Sequence, residues 1–138
     1  NGHQVKIGVN AFIIARDTEE EAKTVLQEII DKANIQAVHA FGAATREAGA
    51  ATLAGEGNWA KSSFEDLVQY NDGFKTNLIG TPCQIAERIV ELKAVGVDLI
   101  LSGFLHFIEE VEYFGAKVLP LVRELEAQQQ SVETAKSA

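Results

Sequence analysis

The sequence contains no methionine, and its first residue is Asn1. A finished translation product begins with Met unless it is processed, so the chain is expected to be a piece of a longer protein. Cysteine is nearly absent as well. Cys83 stands alone and excludes an internal disulfide, which makes a reducing, cytoplasmic location the expectation. Basic residues are in short supply, with 12 Lys and Arg against 20 Asp and Glu and a net charge of −8. A surface that tracks phosphates needs the opposite excess, so no nucleic-acid partner and no anionic membrane partner is expected. No apolar run approaches the roughly 20 residues that cross a bilayer. Neither a GxGxxG after a strand nor a GxxxxGK[ST] occurs, which removes the common nucleotide-binding signatures.

What remains is the composition of a folded domain. The 138 residues suffice for one domain, and 46% apolar with 23% charged residues is the balance of a globular chain. Residues 5–15, VKIGVNAFIIA, are apolar on both alternating faces, which predicts a strand covered on both sides, as in a parallel sheet. A helix follows. Asp17 or Thr18 can cap it, Glu20 or Glu21 completes a capping box, and Ala22, Val25, Leu26, Ile29 and Ile30 share one face.

Residues 35–76 read as looser, rich in Ala and Gly, with one short helix from Ser62 or Ser63 to Asn71 or Gly73. Then NLIG reads as a short strand, and Thr81, Pro82 and Gln84 as a helix start. Gly96 suits the left-handed end of that helix. VDLILSGF reads as a third strand, and a third helix carries a kink at Pro120. The tail 128–138 is polar and expected to fray. Strands alternating with helices predict an α/β fold with parallel strands.

The motifs in order carry a resemblance. Residues 79–122, IGTPCQIAERIVELKAVGVDLILSGFLHFIEEVEYFGAKVLPLV, combine strand-Gly-Thr-Pro, Ala-Glu-Arg, Gly-Val-Asp, a strand ending Ser-Gly-aromatic-x-His, and Leu-Pro-Leu. With VNAFIIARDTEEEA at residues 9–22, this resembles the C-terminal part of the bacterial luciferase-like flavin-dependent monooxygenase family. SSFEDLVQYNDGFKTNLIGTP, residues 62–82, resembles more narrowly its dimethyl sulfone branch, close to the alkanesulfonate branch. The resemblance implies that residues 1–138 are the C-terminal segment of one (β/α)8 TIM barrel, holding strands six to eight and their helices, with residues 42–76 as a lid. It implies reduced FMN (FMNH2) as cofactor, an NAD(P)H-dependent flavin reductase as its supplier, and O2 with a small organosulfur substrate whose C–S bond is cleaved. A homo-oligomer is also implied. The isolated piece is expected to be inactive and to bind flavin weakly, since the phosphate contacts belong to the N-terminal half.

In such a barrel the C-terminal strand ends form the active site. Ser102, Gly103, Phe104 and His106 sit at one of them, and Gly103 would let backbone approach a flat cofactor. His106 reads as a pocket-floor residue or as a histidine bonded to nearby backbone. The sulfonate-cleaving relatives have Arg and His where this chain has Asn10 and Phe12, so the pocket wall is neutral here, which suits an uncharged sulfone; Phe12 also reads as plain core. Phe104 replaces a Tyr and loses its hydroxyl.

In the lid, Asn71 takes the place of a relative's Arg, and Lys75 could restore that charge near the flavin phosphate or stay solvated. Trp59 could close over the site or anchor the insert. Residues 42–60 are expected to be mobile without ligand. Cys83 reads as structural, its thiol pKa lowered somewhat by the helix start. The acids Glu19 to Glu21 and Glu109 with Glu110 read as helix-start charges rather than metal ligands, and His3 and His39 as surface residues. The alternatives are a non-catalytic barrel remnant serving as an assembly or interaction module, and a relative acting on an alkanesulfonate.

Overall fold

The computed structural model describes residues 5–50, 61–69 and 73–136. The predicted first strand forms in two steps, β1 (Gly8–Phe12) and β2 (Ile14–Ala15), with Ile13 between them. β2 pairs in parallel with β3 (Ile79–Gly80), and β1 pairs in parallel with β4 (Leu99–Gly103). The Ile13 N–H donates to Gly103 O at 2.9 Å, and the next N–H, of Ile14, donates to Leu78 O at 3.1 Å. Successive N–H groups of an extended chain point to opposite sides, so β4 lies on one side of the first strand and β3 on the other.

The parallel α/β expectation therefore holds. The first strand lies between β3 and β4, and all of these strands run parallel. Right-handed crossovers then place the helices on opposite faces. The reason is legible in the strands themselves. In the first strand Ala11, Ile13 and Ala15 on one face and Ile14 on the other are buried, so its second half is covered on both sides, as a central strand's is. β3 has only two residues, and β4 turns Leu99 and Leu101 to solvent, 63% and 67% exposed, so both are suited to edges.

Two helices follow the expected signals closely. In α1 (Glu19–Asp31) Thr18 is the cap, and Thr18 and Glu21 exchange side chain to backbone bonds of 3.2 Å. In α4 (Pro82–Ala94) Thr81 and Gln84 do the same, with Pro82 at the first position. Gly96 ends α4 at φ +98°, a backbone that only glycine adopts without strain. α1 lies over Phe12 and Ile14, where Ala22 and Phe74 complete a small cluster. α4 lies on the other face with α6 (Leu119–Lys136), closing the larger core of Ala11, Ile13, Leu78, Ile85, Val90 and Val118. Each fully buried Ile or Leu there contributes about 1.5–3 kcal/mol.

Three expectations are overturned. Residues 35–50 are not loose but form α2 (Ile35–Ala50). Its buried side is made of Val38, Gly42 and Thr45, at helical spacing but too small and too polar to show as an apolar stripe. Gly42 is there for contact: a Cβ would come within 3.0 Å of Leu67 Cδ1. Leu67 belongs to α3 (Phe64–Val68), capped by Ser63 and Asp66 but ending earlier than expected. A 3-10 turn, Gly73–Thr76, then leads into β3. The tail is helical to Lys136, since its Gln, Glu and Ala residues favour helix. Where a kink at Pro120 is expected, the structure shows a change of helix type just before it. α5 (Phe107–Tyr113) widens into a π-helical turn, Phe114–Val118, before α6 begins. Proline gives its ring and no N–H to the preceding turn, and a wider turn accommodates both.

Candidate functional site

At the C-terminal ends of β2 and β4 the chain gathers polar groups from three segments. Arg16 and Asp17 follow β2, Leu105 and His106 follow β4, and Glu110 and Tyr113 lie on α5. Arg16 Nη2 donates to Glu110 Oε1 at 2.6 Å, and Nη1 donates to Ala15 O at 2.7 Å. Glu110 Oε2 accepts from the N–H groups of Leu105 and His106 at 2.8 and 3.1 Å. The Tyr113 hydroxyl donates to Asp17 Oδ1 at 2.6 Å. Burial and then the Asp17 carboxylate push the Tyr113 hydroxyl up to about 12, so it stays protonated near neutrality and is a fixed strut rather than a proton donor.

The expected site residues divide between two faces. Asn10 stands opposite Leu101, and Phe12 opposite Gly103, on one face of the strand pair. Asn10 is exposed there beside Leu101, while Phe12 meets Phe74 edge to face at 5.4 Å. A Cβ on Gly103 would lie 3.4 Å from the Phe12 ring, so the space that Gly103 leaves is bordered by that ring. Ser102 pairs with Ala11 and therefore points to the opposite face, the one covered by α4 and α6. Phe104 shares that core and contacts Phe107 and Phe114 edge to face at 6.4 and 5.8 Å.

His106 is exposed at the N-cap of α5, and its side chain makes no capping bond. Lys75 reaches Ser62 Oγ at 2.9 Å and Asp66 at 3.5 Å, so it is engaged and not simply solvated. Trp59, Asn71 and His3 lie outside the described residues. His39 is exposed, with its ring 5.6 Å from that of Phe64.

Sequence reasoning missed Arg16 and Tyr113, and took Asp17 for a possible helix cap and Glu110 for a helix-start charge. The available signal was the position of Arg16, the first charge after a buried strand, where barrel chemistry collects. Cys83 needs a correction of sign. Glu87 Oε1 lies 3.6 Å from its sulfur, and the charge of Glu87 raises the thiol pKa, outweighing the helix start. A groove of about 380 Å³ between α1 and α4 is a poorer candidate. Its cations are spent within the chain, Lys23 on Glu19 and Arg88 on Glu91. Among the described residues, no helix is long and apolar enough to cross a membrane.

Comparison with known proteins concerns the chain as a whole. Residues 1–99 match the family model described as luciferase-like monooxygenase. An FMNH(2)-dependent dimethylsulfone monooxygenase of Pseudomonas fluorescens (strain Pf0-1) is 76% identical over 138 residues, all of this chain and 38% of that protein. One of the same description from Pseudomonas putida is 76% identical over 131 residues, 95% of this chain and 36% of that protein. The chain thus spans well under half the length of these relatives. With a family model matched over more than two thirds of its residues, the chain belongs to the luciferase-like monooxygenase family.

Proposed function

We propose that this chain is part of an FMNH2-dependent monooxygenase that oxidises a small, uncharged organosulfur compound, dimethyl sulfone or one much like it, with O2. The observation that carries the reading is 76% identity over the whole of the chain to a protein of that description. In the longer protein the chain supplies strands six to eight of a (β/α)8 barrel, as one C-terminal segment. Residues 42–76 form the lid over the strand ends, with the end of α2 and all of α3 within it. The bare strip of Leu99 and Leu101 beside Asn10 supports this, because a face so apolar is one that the rest of a barrel would cover.

The residues fit one part of the cofactor and not the other. The strip beside Asn10 offers apolar surface to a ring system. Lys75, the cation expected near a phosphate, is held by Asp66 and Ser62, and Arg16 is held by Glu110. The flavin phosphate is therefore assigned to the part of the protein beyond this chain. Reduced flavin, delivered by an NAD(P)H-dependent reductase, supplies the electrons with which O2 oxidises the substrate. This chain's contribution is positional. Asn10 offers an amide donor to a sulfone oxygen, Phe12 and Gly103 border the same face, and His106 stands at the rim.

Substrate charge is the test. A sulfonate that lacks a cationic partner loses a charge-assisted hydrogen bond, on the order of 1.5–3 kcal/mol. In full-length enzyme supplied with flavin, reductase and O2, dimethyl sulfone is expected to turn over at least tenfold better than methanesulfonate, as that lost bond implies. Asn10→Leu is expected to remove most of that activity. Faster turnover of methanesulfonate would reassign the enzyme to the alkanesulfonate branch.

A further inference from the structure

We infer that Arg16 and Glu110 act together as a positioning pair for His106, an inference that rests on the reading of His106 as a pocket residue. The His106 side chain makes no capping bond, so its aim depends on the backbone that carries it. That backbone has φ −110° and ψ 84°, outside both helix and strand, and its N–H and that of Leu105 are held by a single carboxylate. Glu110 accepts the amides of Leu105 and His106 with one oxygen and Arg16 with the other. Arg16 in turn is tied to the end of β2 through Ala15 O.

The turn that carries His106 is thereby referenced to the neighbouring strand end. An ordinary helix cap would not explain this arrangement. In the usual capping box the third helical residue reaches back, and here that residue is Glu109, which is exposed. The next residue, Glu110, does so instead, and it is the one whose other oxygen meets Arg16. The pair is also sheltered, with side chains 25% and 11% exposed, so the bond is less screened than a surface ion pair. The Tyr113 bond to Asp17 braces the same two segments one helical turn further along.

The test uses the full-length enzyme with reductase, reduced flavin and dimethyl sulfone, and builds a cycle from His106→Ala, Glu110→Gln and the double variant. Glu110→Gln keeps an acceptor for the two amides and removes the charge that holds Arg16. It is expected to lower kcat on the order of tenfold, as misplaced catalytic groups do, with KM little changed. In the double variant the two losses should not multiply, because Glu110 acts through His106. Arg16→Met should match Glu110→Gln, and Arg16→Lys should recover a third or more of the loss.

If His106→Ala leaves kcat unchanged, the reading of His106 fails, and this inference with it. If His106→Ala is impaired but Glu110→Gln is not, or if their losses multiply, the inference alone is overturned. Should Glu110→Gln not fold, the Arg16→Met and His106→Ala cycle decides in the same way.

Discussion

Replacing Leu101 by alanine probes the least conventional part of the structure, the face of β4 that no helix covers. Leu101 is 67% exposed, so the side chain buries about a third of its surface. Full burial of a leucine is worth about 1.5–3 kcal/mol, which puts Leu101→Ala at roughly 0.5–1 kcal/mol in this chain. Ile13 lies on the opposite, helix-covered face and is 1% exposed. Ile13→Ala combines lost transfer energy with a cavity and should cost about 2–5 kcal/mol.

If the proposed barrel covers this face in the longer protein, Leu101→Ala should also cost about 2–5 kcal/mol there, while the cost of Ile13→Ala stays in its range. Urea unfolding of the 138-residue chain and of the full-length protein reads both numbers, as midpoint shifts at constant slope. A cost above about 2 kcal/mol for Leu101→Ala in the short chain would refute the assignment of exposed and covered faces. Equal costs in the two proteins would refute the barrel.

Tyr113 should titrate late. Of the phenol absorbance steps in an alkaline titration, one is expected near pH 12 and should vanish in Tyr113→Phe. Because the folded pKa is raised, the stability contributed by this hydroxyl is fully present below about pH 10, the ordinary tyrosine value, and is lost as pH rises through about 12. Gly96→Ala meets no atom within 4 Å but must hold φ +98°, so it should cost about 1–3 kcal/mol from backbone strain alone, read as a lower thermal midpoint. A neutral result there would mean that the end of α4 relaxes freely.

Much of the local structure was legible because its causes are local. Thr18 with Glu21, and Thr81 with Pro82 and Gln84, state where a helix begins through bonds spanning three residues. Gly96 states where one ends through a dihedral that other residues avoid. The short strands and the α/β class follow from patterns of similarly short range. The helix over residues 35–50 escaped notice because its buried side is built from small residues, and its reason for being there, the approach of Leu67 to Gly42, lies in another helix.

The residues around the candidate site show the same division. Ser102, Gly103, Phe104 and His106 could be placed at a strand end from order alone, but pairing with Ala11 turns Ser102 to the face covered by α4 and α6, and pairing with Phe12 turns Gly103 to the other. The joining of Arg16 to Glu110 spans 94 positions and leaves no mark in either neighbourhood. By itself the sequence determined where the strands and the capped helices lie and which family motifs stand in which order. Only the tertiary structure decided that the first strand is central, which face each candidate shares, and which carboxylate holds the turn at His106. Hydrogen bonds between strands and contacts across faces join residues by distance in space, and nothing local encodes that distance.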